Sequence, residues 1–160
     1  MAENQEIVSS SPMLVKTYGD IYFNTQDTEQ AVKFFENLGI LTLIRLCKKC
    51  QNPMRKTKDM SRKDNQKWVC TSRTACGHVN TLRSGTWLAN AKLSLSQIAK
   101  IMFCWSHKLP QQFIMCETDI STKTAVDWYN FCRDICAIVL MNQDYKKIGG
   151  WGTGRPVPHP

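Results

Sequence analysis

Four cysteines have the spacing of metal ligands. Cys47-Lys-Lys-Cys50 is a C-x2-C pair, and Cys70 and Cys76 follow about twenty residues later as a C-x5-C pair. A two-residue spacer lets one tight turn aim both thiolates at a common point, and two such turns complete a tetrahedral site. The longer second spacer departs from the usual two to four residues. Disulfides and buried free thiols are the alternatives for these cysteines. The chain starts with no apolar signal segment and is lysine-rich, so an oxidising compartment is unsupported. Free thiols do not account for four cysteines paired this way in a polar, basic segment. One structural Zn2+ held by Cys47, Cys50, Cys70 and Cys76 is therefore expected; His78 is the one substitute ligand but reads better as a surface strand residue.

Elements that would position such a site flank the cysteines. Leu41 to Leu46, Gln66 to Thr71 and His78 to Leu82 are rich in aliphatic, aromatic or β-branched residues and bounded by turn formers. Strand, knuckle, strand, knuckle, strand is the layout of a zinc ribbon with a three-stranded antiparallel sheet. Between the pairs, Pro53 to Asp59 and Arg62-Lys63-Asp64 predict a basic hairpin, with Asp64-Asn65 supplying turn chemistry. Trp68, beside Cys70, is expected to pack over the site, stacking on a nucleobase being the alternative.

Charge is concentrated on the same module. The net charge is +8, yet residues 1–44 carry two basic and six acidic side chains, whereas residues 45–74 carry ten basic and two acidic. Such a block is commonly a solvated face. Beside a DNA-binding helical pattern it points to phosphate contact, with Arg55, Lys56, Lys58, Arg62 and Lys63 as the contacting residues. No run of about eighteen apolar residues suggests a membrane span.

Toward the N-terminus, residues 1–26 predict a flexible leader. A helix over 27–40 follows, in which Asp27 and Gln30 form a capping box, Ala31, Phe34, Phe35 and Leu38 share a face, and Gly39 ends the helix. The ribbon spans 41–88. Residues 89–147 predict a three-helix bundle. Its first helix opens at the capping box Ser94-Leu-Ser-Gln97 and buries Ile98, Ile101, Met102 and Trp105. Pro110 starts the second helix in its first turn, with Phe113 and Ile114 as apolar contacts. Thr118 to Trp128 then fits the turn and recognition helix of a helix-turn-helix. Asp119 takes the left-handed position, Ile120 plugs the turn and Ser121 caps the third helix. Ala125, Trp128, Cys132, Ile135 and Val139 are its expected buried stripe, and Cys132 and Cys136 read as small core residues. Thr122, Lys123 and Thr124 lie nearest to DNA, with Asn130 and Arg133 reaching the backbone. An ordinary bundle with a wet polar face is the competing reading. Residues 148–160, with four glycines and three prolines, predict a disordered tail.

The order of these residues resembles the N-terminal region of Merlin-type transposases, members of the DDE superfamily related to insertion-sequence transposases with an N-terminal zinc ribbon. The resemblance spans about Ala31 to Gly150. It rests on the four cysteines, Trp68-Val-Cys70, Arg83-Ser-Gly-Thr-Trp87 and Thr124-Ala-Val-Asp-Trp-Tyr129 leading into Arg133. It implies recognition of double-stranded DNA at transposon terminal inverted repeats. In that family an RNase H-like catalytic domain follows a glycine-rich stretch similar to Ile148-Gly-Gly150. Here no acidic residue follows Gly150, and a two-metal strand-transfer site needs several carboxylates. The expectation is thus a non-catalytic, α+β, zinc-dependent DNA-binding protein that ends before the catalytic domain, with self-association left open. It would be nuclear in a eukaryote, cytoplasmic otherwise, and not secreted. A docking module of a transcription complex, with Trp87, Trp105 or Phe113 as anchors, and a fragment of an active transposase are the alternatives.

Overall fold

Local signals in the chain account for most of the element boundaries. The computed structural model describes residues 15–72 and 76–142, so the expected tail over 148–160 lies outside the described residues. The first helix, α1 (Tyr18–Asn24), replaces the later part of the flexible leader expected over 1–26, whose residues 1–14 lie outside the described residues. Thr17 Oγ1 accepts the Asp20 N–H while the Asp20 carboxylate accepts the Thr17 N–H, a reciprocal cap that stabilises a helix of only seven residues. Only Ile21 of α1 is buried, too few apolar positions to show a period. The ring of Tyr18 meets Phe103 and Phe113 edge-on at 5.8 and 5.7 Å, and its hydroxyl donates to Glu117 Oε2 at 3.0 Å.

Helix α2 (Thr28–Asn37) forms one half of the expected capping box: Asp27 Oδ1 accepts the Gln30 N–H at 2.7 Å, without a return bond from the Gln30 side chain. Gly39 takes a φ of +70°, a conformation that disfavours side chains, and closes the helix. Ala31, Val32, Phe34 and Phe35 are buried, whereas Leu38 is exposed.

Four strands, not three, form an antiparallel sheet in the order β1-β2-β3-β4: β1 (Arg45–Leu46), β2 (Pro53–Lys58), β3 (Gln66–Cys70) and β4 (Val79–Thr81). The expected basic hairpin is β2 and β3, paired from Met54↔Cys70 to Lys58↔Gln66. β2 is hard to recognise as a strand because Met54 is its one apolar inward residue. At the hairpin tip Asn65 has a φ of +52°, and Asp59 Oδ1 accepts both the N–H and hydroxyl of Ser61. The expected first strand shrinks to two residues because the chain turns past buried Leu41, leaving Leu43 and Ile44 in solvent. The sheet curls, since Arg45 of β1 donates to the Ser84 carbonyl beyond the opposite edge strand. Gly85 makes this possible, because a Cβ there would sit 2.7 Å from Arg45 Nη2.

Trp68 is buried to 2% exposure in one core with Phe35, Leu41, Leu82 and Leu88, so it packs and is closed to a base. Leu95, Ile98 and Ala99 of the next helix join that core, carrying it across the 88/89 boundary expected from sequence.

The C-terminal half contains α3 (Leu95–Ser106), α4 (Gln111–Thr118) and α5 (Thr122–Asn142). Ser94 and Gln97 form the expected capping box. Ile98 and Ile101 are buried, while Met102 and Trp105 are half-buried. Pro110 precedes α4 as its N-cap, and the helix proper begins at Gln111. Asp119 is left-handed at φ +51°, Ile120 is buried, and Ser121 Oγ accepts the Thr124 N–H at 3.2 Å. Ile101, Cys104, Ile114, Ile120 and Ala125 make a second core, and Leu93 and Trp128 touch both cores. The buried stripe of α5 ends sooner than expected. Cys132 is buried and Ile135 half-buried, but Cys136 and Val139 are exposed because the helix outruns the described elements it packs on. No described helix is long and apolar enough to cross a membrane.

Candidate metal centre and basic face

Two turns of similar backbone design carry the cysteines. In the first, the Cys47 N–H donates to the Asn52 carbonyl at 2.9 Å, and Gln51, just after Cys50, has a φ of +60°. In the second, the Cys70 N–H donates to the His78 carbonyl at 2.9 Å, and Gly77, just after Cys76, has a φ of +56°. Asn52 and His78 each stand two residues after the second cysteine of their pair. The turns thus match despite the three extra residues of the C-x5-C spacer.

The four sulfurs lie within 4.8 Å of one another. Cys50 Sγ is 3.4 Å from Cys70 Sγ, and Cys47 Sγ is 3.6 Å from Cys76 Sγ. Disulfide sulfurs are about 2.0 Å apart, so none of these pairs is bonded, and all four thiols are free. A tetrahedron with metal–sulfur bonds of about 2.3 Å has edges of about 3.8 Å, within the observed spread. The donor set and its geometry therefore fit a tetrahedral metal ion. His78 is not among the grouped donors; it contributes its backbone carbonyl to the second turn.

The sulfurs also differ in their readiness to ionise. Burial opposes a charge on Cys47, but the N–H groups of Cys50 and Lys49 and the thiols of Cys76 and Cys50 outweigh it, bringing its pKa down to about 7. Cys70 is pushed up to about 12, by burial first and then by the Cys50 and Cys47 thiols. Cys47 thus offers a thiolate more readily than Cys70, and loading a metal must displace the Cys70 proton.

The basic residues divide into two groups. Arg55, Lys58, Arg62 and Lys63 are exposed along the hairpin, whose base is held where Cys50 meets Cys70. Arg62 lies 3.6 Å from Asp59 but stays about half exposed. Lys56, the fifth of the expected phosphate contacts, is half-buried. Its ammonium pairs with Glu36 of α2 and lies 5.6 Å from the Trp68 ring centroid, so it ties the hairpin to the helix. On α5, Thr122 and Lys123 are exposed, while Thr124 is half-buried with its hydroxyl 2.9 Å from Ser121 Oγ. Asn130 and Arg133 are exposed and bonded to each other, Arg133 Nη2 donating to Asn130 Oδ1 at 2.9 Å.

Sequence reasoning missed the group that joins these parts. Arg83 is 4% exposed and grips Asp64 at the hairpin tip with two N–H groups, its Nε standing 2.7 Å from Oδ2. Its third nitrogen donates to the carbonyls of Ala91 and Leu93 at 3.1 and 2.8 Å. One guanidinium thus fixes the hairpin against the segment leading into α3. The only sequence hint was an arginine within an otherwise short, glycine-containing run.

No protein-family model matches the chain, and the searches of curated proteins and of solved structures returned no match either.

Proposed function

We propose that this is a zinc-dependent, non-catalytic DNA-binding protein of transposase N-terminal type. It would combine a zinc ribbon built on Cys47, Cys50, Cys70 and Cys76 with a helix-turn-helix formed by α4 and α5. The observation that carries the proposal is the exposed set Arg55, Lys58, Arg62 and Lys63 on a hairpin anchored at a four-cysteine cluster. A bound zinc ion would supply folding energy and no reaction chemistry. The four cations hold phosphates, and the start of α5 at Thr122, Lys123 and Thr124 enters the major groove. The left-handed Asp119, the buried Ile120 and the Ser121 cap support the helix-turn-helix reading.

The non-catalytic part is supported by what the carboxylates do. Asp20 and Asp27 cap helices, Glu36 and Asp64 sit in ion pairs, Asp59 orders the hairpin tip and Glu117 accepts from Tyr18. These roles scatter six of the described carboxylates over separate elements, and among the described residues Asp127 on α5 joins no group of three His, Cys, Asp or Glu donors.

Selection from randomised duplex DNA with zinc-loaded protein, followed by salt titration, tests the proposal. With four to six phosphates neutralised, log K should fall with log salt at a slope of about −4 to −5. Failure to enrich any sequence, with binding insensitive to salt, would refute it. A second reading, protein docking in a transcription complex, is favoured by Ile138 to Met141, four successive exposed apolar residues at the end of α5. Double-stranded DNA remains the better partner because the cations lie elsewhere, on the hairpin.

A further inference from the structure

A cleft of about 520 Å³ opens between the segment before α3 and the side of α5. Its walls include Trp87, Trp128 and Phe131, and Asn90, Lys92 and Asp127 supply the polar groups. The volume falls within the range of about 300–1,000 Å³ usual for small-ligand clefts. Phe131 stands edge-on to Trp128 at 5.4 Å and tilted at 5.7 Å from Trp87. This aromatic cluster leaves Trp87 36% exposed. Asn90, Lys92 and Asp127 are exposed and make no side-chain hydrogen bond or ion pair among the described residues. Thr124 and Asp127 belong at once to the cleft wall and to the first two turns of α5.

We propose that this cleft receives a single unstacked nucleobase from DNA bound along the start of α5, an inference that rests on the DNA-binding reading. A flat aromatic face is what Trp87 and Phe131 can stack against. The Asp127 carboxylate accepts a hydrogen bond from an exocyclic amino group, and Asn90 can both donate and accept at a base edge. Lys92 places a cation for the neighbouring phosphate. An aliphatic peptide would cover the apolar wall but match neither Asn90 nor Asp127, whereas the edge of a base can pair with both. Amino-bearing cytosine, adenine and guanine therefore suit the cleft better than thymine.

The test uses the zinc-loaded full chain and two families of duplex, one fully paired and one with a single-nucleotide bulge. Affinity is measured together with quenching of tryptophan fluorescence. The bulged duplex should bind about tenfold more tightly, and Trp87→Ala and Phe131→Ala should each abolish that preference while leaving binding to paired DNA within about twofold. Bulged thymine should bind about fivefold more weakly than bulged cytosine, a difference removed by Asp127→Ala. Equal, salt-sensitive binding of both duplexes would overturn the base-binding inference and leave the DNA-binding reading intact. A bulge preference that survives Trp87→Ala and Phe131→Ala would overturn it too. Absence of binding to either duplex would overturn both. Equal binding of all four bulged bases would remove Asp127 from the assignment.

Discussion

Arg83→Met removes the guanidinium that holds Asp64 and two backbone carbonyls. Both charged side chains are nearly enclosed, Arg83 at 5% and Asp64 at 8% side-chain exposure. The substitution leaves a buried carboxylate unpaired and the carbonyls of Ala91 and Leu93 without this donor. Breaking a buried pair from one side costs about 3–5 kcal/mol. For a body of this size that corresponds to about 6–20 °C in Tm. Urea unfolding of zinc-loaded protein, followed by tryptophan fluorescence and circular dichroism, reads the effect. Arg83→Lys should fall between wild type and Arg83→Met, since one ammonium cannot serve Asp64 and both carbonyls together. Adding Asp64→Leu to Arg83→Met should recover at least about 1 kcal/mol, because the stranded carboxylate is gone. A loss below about 1 kcal/mol for Arg83→Met would refute the view that this ion pair joins hairpin and helices.

Chelation, or Cys70→Ser, should melt more than the sheet. Leu95, Ile98 and Ala99 share the Trp68 core, so α3 should lose hydrogen-exchange protection along with β2 and β3; full protection of α3 in metal-free protein would count against a shared core. Among the hairpin cations, Lys58→Ala should weaken DNA binding with little change in melting. Lys56→Ala should instead lower stability by about 1 kcal/mol and leave the salt slope unchanged, because Lys56 is engaged by Glu36 and Trp68. Binding and salt-slope titrations beside melting curves would separate the two. Burial pushes the Cys104 and Cys132 thiols up to about 11, above the usual value of about 8.5. A raised acid favours the folded, protonated form, so their contribution is complete below about pH 8.5 and is lost as pH rises through about 11. Stability curves from pH 8 to 11 should fall less steeply for Cys104→Ala. In zinc-loaded protein at neutral pH, a thiol reagent should modify exposed Cys116 and Cys136 well before Cys104 and Cys132, and simultaneous reaction of all four would contradict the burial pattern.

Signals carried by local chemistry were legible in the sequence. The cysteine pairs, the Ser94 and Gln97 box, the left-handed Asp119 and the Ser121 cap each depend on residues a few positions apart, so their types and spacing suffice. What escaped depends on distant partners. α1 buries one residue and is secured by Tyr18 against α3 and α4, eighty-five and ninety-five residues onward. β2 buries a single apolar residue, Met54, and becomes a strand through its pairing with β3. Lys56 looks like its neighbours in sequence, yet Glu36 and Trp68 give it a different role. Arg83 and Asp64 lie nineteen residues apart, with nothing in either local context to announce the other. On α5 the apolar residues continue past Cys132 while the supporting elements stop, so periodicity overstated the buried stripe.

The curl of the sheet has a consequence for association between copies of the chain. An open sheet offers its border strands as templates for pairing with another chain, a route to aggregation. Here the border strands are two and three residues long, and the Arg45 side chain reaches across to the Ser84 carbonyl beyond the far border. Such short borders give an incoming strand little ladder to extend, and Gly85 keeps the space that the arginine needs. Replacing Gly85 would therefore matter beyond its own turn: with the arginine displaced, the Thr81 and Ser84 carbonyls that it covers at the far border would be open to a strand from another copy.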